Sequence, residues 1–151
     1  MAALRETLRQ AQDLVRDEGA ARGGPVTTIA GVSCSRARAI IFNAGDSRVY
    51  RLDADRPQLM SVDHLSRTDG RSVTRFLGGH LAQATPHIIV VEEPRAHRYL
   101  ICSDGLYGFV RSTDLLLPAE VDPTTALTTL IGLAMANGSQ DNISAIFCQI
   151  D

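Results

Sequence analysis

Two stretches of the chain repeat apolar residues at the three- to four-residue spacing of a helix face. The first predicts a helix over residues 2–18, with charged residues on its other sides. The second predicts a helix over residues 123–137, for which Asp122 is a suitable N-cap residue. A shorter segment, residues 112–117, also predicts a helix, with Ser112 as its cap.

Most other apolar segments are short, rich in β-branched residues and bounded by polar turns, which is typical of strands. Polar links at residues 35–38 and 92–97 predict two hairpins, each formed by the strands on either side of the link. Residues 73–77 predict a helical turn that is closed by Gly78-Gly79. The predicted strands are 27–34, 39–43, 47–52, 59–62, 87–91, 98–102 and 143–150. Together with the helices they predict a single α+β domain over residues 1–151.

The composition suits a globular domain and gives no electrostatic attraction to nucleic acids or membranes. The chain has 151 residues, of which 44% are hydrophobic and 21% charged, and this is enough apolar material for a core. Its formal net charge is −2, so bulk charge favours neither nucleic acid nor an anionic membrane as a partner. No apolar stretch approaches the roughly 20 residues that span a bilayer, and the first helix lacks the apolar core of a signal peptide. We expect a cytoplasmic protein.

The pattern of the three cysteines, Cys34, Cys102 and Cys148, also indicates a cytoplasmic protein. Each lies in an apolar strand-like segment, their number is odd, and none has the paired spacing of a C-x-x-C metal site. Free cysteine behaves as a small hydrophobic residue and is often buried. We therefore predict buried free thiols in a reducing compartment.

Three aspartates occupy similar positions, each at the end of an apolar strand-like segment. Residues 99–110 (YLICSDGLYGFV) contain Asp104 at the point where an apolar run stops at Ser-Asp-Gly. Asp141 precedes the last predicted strand, and Asp46 precedes the third. An Asp-Gly pair is also the ordinary chemistry of a turn, and that interpretation stands beside the functional one for any single aspartate. The repeated pattern favours one site at a rim of the sheets.

Six segments of the chain occur in an order that resembles one protein family. They are GPVTT at 24–28, NAGDSRVYRL at 43–52, SVDH at 61–64, RFLG at 75–78, the segment 99–110, and DNIS at 141–144. The family is that of the metal-dependent protein phosphatases of type 2C (PPM). The resemblance covers most of residues 24–150, with residues 1–23 as an N-terminal helix and link. It implies a β-sandwich flanked by helices in α-β-β-α layers, with a metal site at one rim.

The resemblance assigns the three aspartates to metal binding. Asp104 and Asp141 match family residues that bind one of two metal ions, and Asp46 matches an auxiliary ligand of a third, weaker ion. The ions would be Mg²⁺ or Mn²⁺, hard cations that prefer oxygen ligands. In this chemistry two ions hold a hydroxide near neutral pH and neutralise charge on the phosphoryl group. The implied activity is hydrolysis of phosphoserine and phosphothreonine in phosphoprotein substrates.

The chain departs from the family in two places. The family's Asp-Gly-x-Gly-Gly segment, whose Asp bridges the two metals, has no counterpart, and neither do the early strands and the phosphate-contacting Arg. Asp17-Glu18-Gly19 is similar in composition, but it follows a helix, which is the wrong context. Only residues 65–74 stand where the family has a longer flap segment. Because loss of a metal ligand lowers phosphoryl-transfer rates by orders of magnitude, we expect a weak or inactive enzyme.

Two functions therefore remain open from the sequence. The first is a type 2C phosphatase domain, either weak on its own or part of a longer active chain. The second is a catalytically degenerate, phosphatase-like module that binds a phosphoprotein or another protein partner. Loss of the early strands would leave sheet edges uncovered, which predicts self-association or a partner segment at those edges.

Other polar residues in these segments have structural as well as functional interpretations. For His64, a histidine that caps a loop at the rim is favoured over a general acid or a metal ligand. Arg48 and Arg75 are suited either to contact a phosphate or to pair with acids such as Asp46. Ser103 has no His–acid pair placed to activate it and is not a nucleophile candidate.

Overall fold

Two antiparallel sheets form the centre of the fold, and helices lie outside them. The computed structural model describes residues 2–19, 24–35, 37–52, 56–79, 85–92, 97–118 and 120–150. The helices are α1 (Ala2–Gly19), α2 (Asp104–Tyr107) and α3 (Pro123–Ala136), with a 3-10 helix at Ser112–Leu115. The strands are β1 (Val26–Thr27), β2 (Ile29–Cys34), β3 (Arg38–Ala44), β4 (Arg48–Leu52), β5 (Pro57–Leu59), β6 (Leu77–Gly78), β7 (His87–Glu92), β8 (Arg98–Cys102) and β9 (Ala145–Gln149).

The two main sheets have three and four strands. One has the order β2-β3-β7 and the other β5-β4-β8-β9, while β1 and β6 form a separate two-stranded ladder. The predicted hairpin of β2 and β3 is confirmed, with a register that runs from Ile29↔Ala44 to Cys34↔Ala39. After β3 the chain turns at Gly45 and passes into β4, which belongs to the four-stranded sheet. One of the three predicted site residues therefore lies where the chain changes sheets.

The second predicted hairpin, between residues 87–91 and 98–102, is wrong. β7 pairs with β3, while β8 lies between β4 and β9 in the other sheet. Tyr99 and Leu100 are both fully buried, although successive residues of a strand point to opposite faces. A strand that is buried on both faces belongs in the middle of a sheet that is covered on both sides, and β8 has that position.

Two further predictions are wrong because short strands pair with partners that are far away in the sequence. Residues 73–77, predicted as a helical turn, are extended up to β6, which pairs with β1. The single strand predicted at 27–34 breaks at Thr28, because β1 joins β6 whereas β2 joins β3. Both errors involve the same two-stranded ladder, which no local pattern in the sequence indicates.

The predicted helices are mostly confirmed. α1 and α3 match the two periodic stretches, and the Asp122 carboxylate caps α3 by accepting hydrogen bonds from the N–H groups of Thr124 and Thr125, both at 3.0 Å. Ser112 is not a cap residue, however. Arg111 holds the N-cap position of the 3-10 helix.

Two apolar clusters hold the layers together. One fills the space between the sheets and includes Ile41, Val49 and Tyr99. The other lies on the opposite face of the four-stranded sheet, where Leu106 of α2 and Leu130 of α3 pack together with β4 and β8. Full burial of such a side chain contributes about 1.5–3 kcal/mol. These contacts hold α2, whose first residue is Asp104, against the sheet. The α+β sandwich with flanking helices is confirmed.

Helix α1 is tied to the two-stranded ladder by a buried glutamine. The Gln12 side chain donates a hydrogen bond to the Gly78 carbonyl at 3.2 Å and accepts one from the Gly78 N–H at 2.9 Å. Gly78 and Gly79 both have positive φ angles, 88° and 66°, as expected for a turn. A buried polar side chain is stable here because both of its functional groups are paired.

The loop at residues 65–74 is short and ordered. Its ends meet at a bridge between Leu65 and Val73. At its tip the Asp69 carboxylate accepts hydrogen bonds from the Ser72 hydroxyl and from the backbone N–H groups of Arg71 and Ser72. These bonds, that of the Ser72 hydroxyl first, lower the pKa of Asp69 to about 2. The loop is therefore a self-contained polar turn.

The three cysteines are free, but they differ in exposure. Cys102 is buried, as predicted, whereas Cys148 is only half-buried and Cys34 is exposed. The prediction of burial is wrong for Cys34 because it ends β2, a strand at the edge of its sheet. Among the described helices, none has the length and apolarity that a membrane crossing requires.

Candidate functional site

Asp46 stands in the turn that links the two sheets. The preceding residue, Gly45, has a φ angle of 124°, and a Cβ atom at that position would collide with the Thr28 side chain. Glycine is therefore required to form the turn. The pKa of Asp46 is raised by burial and, beyond that, by the negative charges of Asp104 and Asp63. Asp46 and Asp104, two of the three predicted site residues, are thus brought within electrostatic range.

Asp104 begins α2 directly after β8. One of its carboxylate oxygens accepts a hydrogen bond from the Gly105 N–H at 2.9 Å. A Cβ atom on Gly105 would collide with the carbonyl oxygen of Asn142, so the glycine permits a close approach of the two segments. The Ser139 hydroxyl also donates to the Gly105 carbonyl at 2.8 Å. The start of α2 is therefore packed directly against the segment that contains Asp141.

Asp141 lies exposed in the turn before β9, where its carboxylate accepts a hydrogen bond from the Asn142 N–H at 2.7 Å. Ser103, next to Asp104, ties this turn to the end of β8. Its hydroxyl donates to the Asn142 carbonyl at 3.2 Å and accepts from the Ser144 N–H at 3.0 Å. A hydroxyl engaged in this way has a structural role, in agreement with the prediction that Ser103 is not a nucleophile.

Arg48 forms the most extensive side-chain contacts at this rim. Its guanidinium pairs with Asp63 at 2.7 Å, donates to the Tyr50 hydroxyl at 3.0 Å and lies 3.8 Å from the centre of the Tyr107 ring. The sequence suggested Asp46 as an acidic partner, but the partner in the structure is Asp63. Tyr107 belongs to α2, so this contact joins β4 to the helix that starts at Asp104.

Sequence reasoning missed Asp63, Tyr50 and Tyr107. Asp63 was visible only as part of the SVDH segment, and no pattern linked it to Arg48, 15 residues earlier. Burial, followed by the nearby charge of Asp46, raises the pKa of Tyr107, so its hydroxyl stays protonated. A neutral phenol and a paired guanidinium surround the acids on this side of the rim.

His64 and Arg75 have structural partners. The His64 ring is buried, and its Nδ1 accepts a hydrogen bond from the Gly45 N–H at 3.2 Å. Burial, and then the charge of Arg75, lowers the pKa of His64. Arg75 donates to the Thr85 carbonyl at 3.1 Å and lies 3.3 Å from Nε2 of His64. His64 thus supports the Asp46 turn, in agreement with the loop-capping interpretation.

The donor set at the rim suits a hard cation only in part. No three of the His, Cys, Asp and Glu side chains in the described ranges form a group that could hold a metal ion. Asp104 and Asp141 each have one oxygen engaged by a neighbouring N–H group. Mg²⁺ takes only one or two carboxylates and keeps several waters. The described carboxylates therefore fit neither a closed cage nor a bridged pair of ions.

No family model matches the chain. The serine/threonine protein phosphatase PstP of Mycobacterium tuberculosis is 31% identical over 147 residues, and the alignment covers 84% of this chain and 28% of PstP. The chain thus spans less than a third of this curated relative.

Several solved phosphatase structures share the fold. PppA, described as a key regulatory component of T6SS in Pseudomonas aeruginosa, superposes with a TM-score of 0.85 at 28% identity, over 98% of this chain and 69% of PppA. The S. agalactiae serine/threonine phosphatase has a TM-score of 0.82 at 20% identity, over 100% of this chain and 72% of that one. The PstP catalytic domain in complex with two manganese ions has a TM-score of 0.76 at 23% identity, over 93% of this chain and 67% of that one.

The six ordered segments of the sequence indicated one family. The sequence similarity to PstP and the structural similarity to these phosphatases indicate the same family. The chain belongs to the type 2C (PPM) family of serine/threonine protein phosphatases.

Proposed function

We propose that this chain is a metal-dependent protein serine/threonine phosphatase domain whose own turnover is weak or absent. The observation that carries the proposal is the rim where the segments of Asp104 and Asp141 pack against each other and Asp46 lies within electrostatic range of Asp104. The raised pKa of Asp46 supports it, because burial and then the negative charges of Asp104 and Asp63 disfavour the ionised carboxylate, and a bound cation would offset both effects. The relatives are phosphatases by name, and PstP has been crystallised with manganese.

In this proposal Asp104 and Asp141 hold Mg²⁺ or Mn²⁺, and Asp46 is an auxiliary ligand. The bound ion would supply a Lewis acid next to a phosphorylated serine or threonine of a phosphoprotein substrate. The chain's own residues orient the ligands: Gly45 and His64 hold the Asp46 turn, and the Asn142 contact holds Asp104. The free cysteines support a cytoplasmic, reducing location.

Weak turnover is proposed for two reasons. Two-metal hydrolysis needs carboxylates grouped closely enough to hold both ions, and in the described ranges no three His, Cys, Asp or Glu side chains form a group that could hold a metal ion. Arg48, the cation nearest to Asp46 in the sequence, is engaged by Asp63 and is not available to a phosphate. Positioning and charge supply most of phosphoryl-transfer catalysis, so both features lower the rate.

The same two features favour a second candidate, a phosphatase-like module that binds a phosphoprotein without hydrolysing it. This candidate is supported by the Arg48–Asp63 pair, because a guanidinium that is already engaged by a carboxylate is not placed to assist phosphoryl transfer. The two candidates differ in whether any metal-dependent turnover survives.

The test is Mn²⁺ binding and aryl phosphate hydrolysis by residues 1–151, with and without a chelator. We expect Mn²⁺ to bind with a Kd weaker than about 10⁻⁴ M, as in other open oxygen sites, and to be lost in Asp104→Asn and Asp141→Asn. The matched control is Asp17→Asn, a change in α1 on an exposed side chain remote from the rim. Binding that survives Asp104→Asn would overturn the assigned site. Rapid hydrolysis by the unaltered chain would overturn the proposed weakness and the binding-module candidate together.

A further inference from the structure

The buried ring of His64 lies between two hydrogen-bond donors. Its Nδ1 accepts a hydrogen bond from the Gly45 N–H at 3.2 Å, and its Nε2 lies 3.3 Å from Nη1 of Arg75. A backbone N–H and a guanidinium can only donate hydrogen bonds. A neutral imidazole has one accepting and one donating nitrogen, and an imidazolium has no accepting nitrogen. One of the two contacts of His64 therefore lacks an acceptor in every protonation state.

The contact with Gly45 determines which nitrogen of His64 carries the proton. The backbone fixes the direction of the Gly45 N–H, so Nδ1 has to be the accepting nitrogen. Burial, and then the charge of Arg75, lower the pKa of His64, which keeps the ring neutral near pH 7. The single ring proton is then on Nε2, where it faces the guanidinium. We call the Nε2–H of His64 and the guanidinium of Arg75 the donor pair.

Arg75 has further N–H groups without an acceptor. Its side chain is exposed and forms no ion pair with any residue that the structure describes. The same Nη1 that faces His64 also donates to the Thr85 carbonyl at 3.1 Å, which leaves Nε and Nη2 unused within the described ranges. A guanidinium presents its N–H groups as a planar fork that matches two oxygens of a carboxylate or phosphate. Arg75 is therefore available to an anion from solvent.

A third nitrogen close to the donor pair is also unpaired. Nε2 of His87 is buried and has no hydrogen-bond partner among the described residues. His87 lies within electrostatic range of His64. Buried polar atoms are nearly always hydrogen-bonded, and an exception indicates that a water or an ion completes the structure. The excess of donors over acceptors at this place favours an ion that accepts.

The space next to Thr85 is suited to an anion. Thr85 lines a cavity of about 320 Å³, and the charged residues among the described part of its lining are Arg5, Glu6 and Arg9. Glu6 is paired with Arg9 at 2.7 Å, whereas Arg5 forms no ion pair within the described ranges. The lining therefore has a net positive charge next to the donor pair.

We propose that the donor pair binds a small oxyanion, a carboxylate or a phosphate group, as the acceptor that both donors lack. One oxygen can lie about 2.8 Å from both nitrogens, since the nitrogens are only 3.3 Å apart. A second oxygen accepts from the remaining N–H groups of Arg75. The anion contacts the edge of the His64 ring that faces away from Gly45. Its binding therefore stabilises the tautomer that holds the turn before Asp46.

The test uses ¹⁵N-labelled residues 1–151, freed of metal ions on a chelating resin. Long-range ¹H–¹⁵N spectra of the histidine rings identify the nitrogen of His64 that carries the proton. Titrations with inorganic phosphate, with acetate and with sodium chloride at matched ionic strength follow the His64 and Arg75 resonances, and hydrogen exchange follows the Gly45 amide. Arg75→Gln removes the fork. Arg67→Gln, which removes an exposed charge from the loop at residues 65–74, is the matched control.

We expect the proton on Nε2 and saturable shifts with a Kd of about 1–10 mM for the better oxyanion. The bound oxyanion should slow exchange of the Gly45 amide. Arg75→Gln should weaken binding by about tenfold or more, and Arg67→Gln by less than about twofold. Tighter binding of phosphate than of acetate would identify a phosphate group as the ligand, and the reverse order would identify a carboxylate.

Three results would overturn the proposal. The first is a His64 proton on Nδ1, which requires no variant to detect. The second is a set of shifts that chloride reproduces in full, and the third is equal affinity for the oxyanion in Arg75→Gln and the unaltered chain. All readouts are taken without metal ions and without turnover, so failure of the proposed phosphatase function would leave them unchanged.

Discussion

Asp63 and Asp46 lie at the same rim, yet their surroundings are opposite. Asp63 has its own cation, Arg48, at 2.7 Å. Asp46 is partly buried with the negative charges of Asp104 and Asp63 nearby, and its pKa is raised. The comparison shows how an acidic site is divided: one carboxylate is neutralised by the protein, and the other retains an unbalanced charge that a cation from solution is suited to balance.

The largest effect is expected when the cation of Asp63 is removed. Arg48→Ala should lower the free energy of unfolding by about 2–4 kcal/mol, because Asp63 remains half-buried without a partner and the contacts to Tyr50 and Tyr107 are lost. Urea unfolding measures the change. Arg9→Ala, which breaks ion pairs on the exposed surface of α1, is the control and should have a smaller effect. Equal losses in the two variants would contradict a special role for Arg48.

Neutralising each acid in turn should lower stability at Asp63 but not at Asp46. Asp63→Asn should lower the free energy of unfolding by about 1–3 kcal/mol, since Arg48 loses its charged partner. Asp46→Asn should leave stability unchanged or raise it, because it relieves repulsion from Asp104. Both variants keep the size of the side chain. A loss in Asp46→Asn as large as that in Asp63→Asn would show that the two carboxylates are equivalent.

The ring of Tyr107 is expected to contribute less. Tyr107→Leu removes the face on which the Arg48 guanidinium lies and should cost about 1 kcal/mol, whereas Tyr107→Phe keeps that face and should cost less. Thermal unfolding of the two variants at one protein concentration measures the difference. If Phe and Leu are equally destabilising, the hydroxyl matters and the ring contact does not.

The smallest effect is a pH dependence specific to Asp46. Its pKa in the folded chain is raised above the ordinary value of 3.8, so between these two values the folded state holds more protons than the unfolded state. The stability that this group contributes is present below pH 3.8 and is lost as pH rises through the folded pKa. The difference in unfolding free energy between the unaltered chain and Asp46→Asn should show this fall, and saturating Mn²⁺ should suppress it. A difference that stays constant with pH would contradict the raised pKa.

Local chemistry made much of the fold predictable. Helices α1 and α3 follow from apolar spacing and the Asp122 cap, and the β2–β3 hairpin follows from a short polar link. The β7–β8 hairpin was wrong because strand periodicity indicates which face a side chain takes and carries no information about which sheet the strand joins. The ladder of β1 and β6 was missed for the same reason.

The candidate site was predictable to a similar extent. Their positions at the boundaries of apolar segments drew attention to Asp46, Asp104 and Asp141, and the structure brings the segments of Asp104 and Asp141 into contact. The metal roles of the three residues stay predictions. The Arg48–Asp63 pair was not predictable, because the two residues become neighbours only after β5 folds back along β4.

The bridge between Leu65 and Val73 has a consequence for how this sequence tolerates change. Because this bridge holds the two ends of the loop together, the residues around Gly70 form a closed loop. A Cβ atom on Gly70 would meet no atom within 4 Å, so the tip has free space around it. The entropy of closing a flexible loop grows only slowly, by about 0.6 kcal/mol for each doubling of its length. Additional residues inserted at this tip would therefore lengthen the loop at little cost in stability, which makes it a suitable place to attach a label or graft a longer segment.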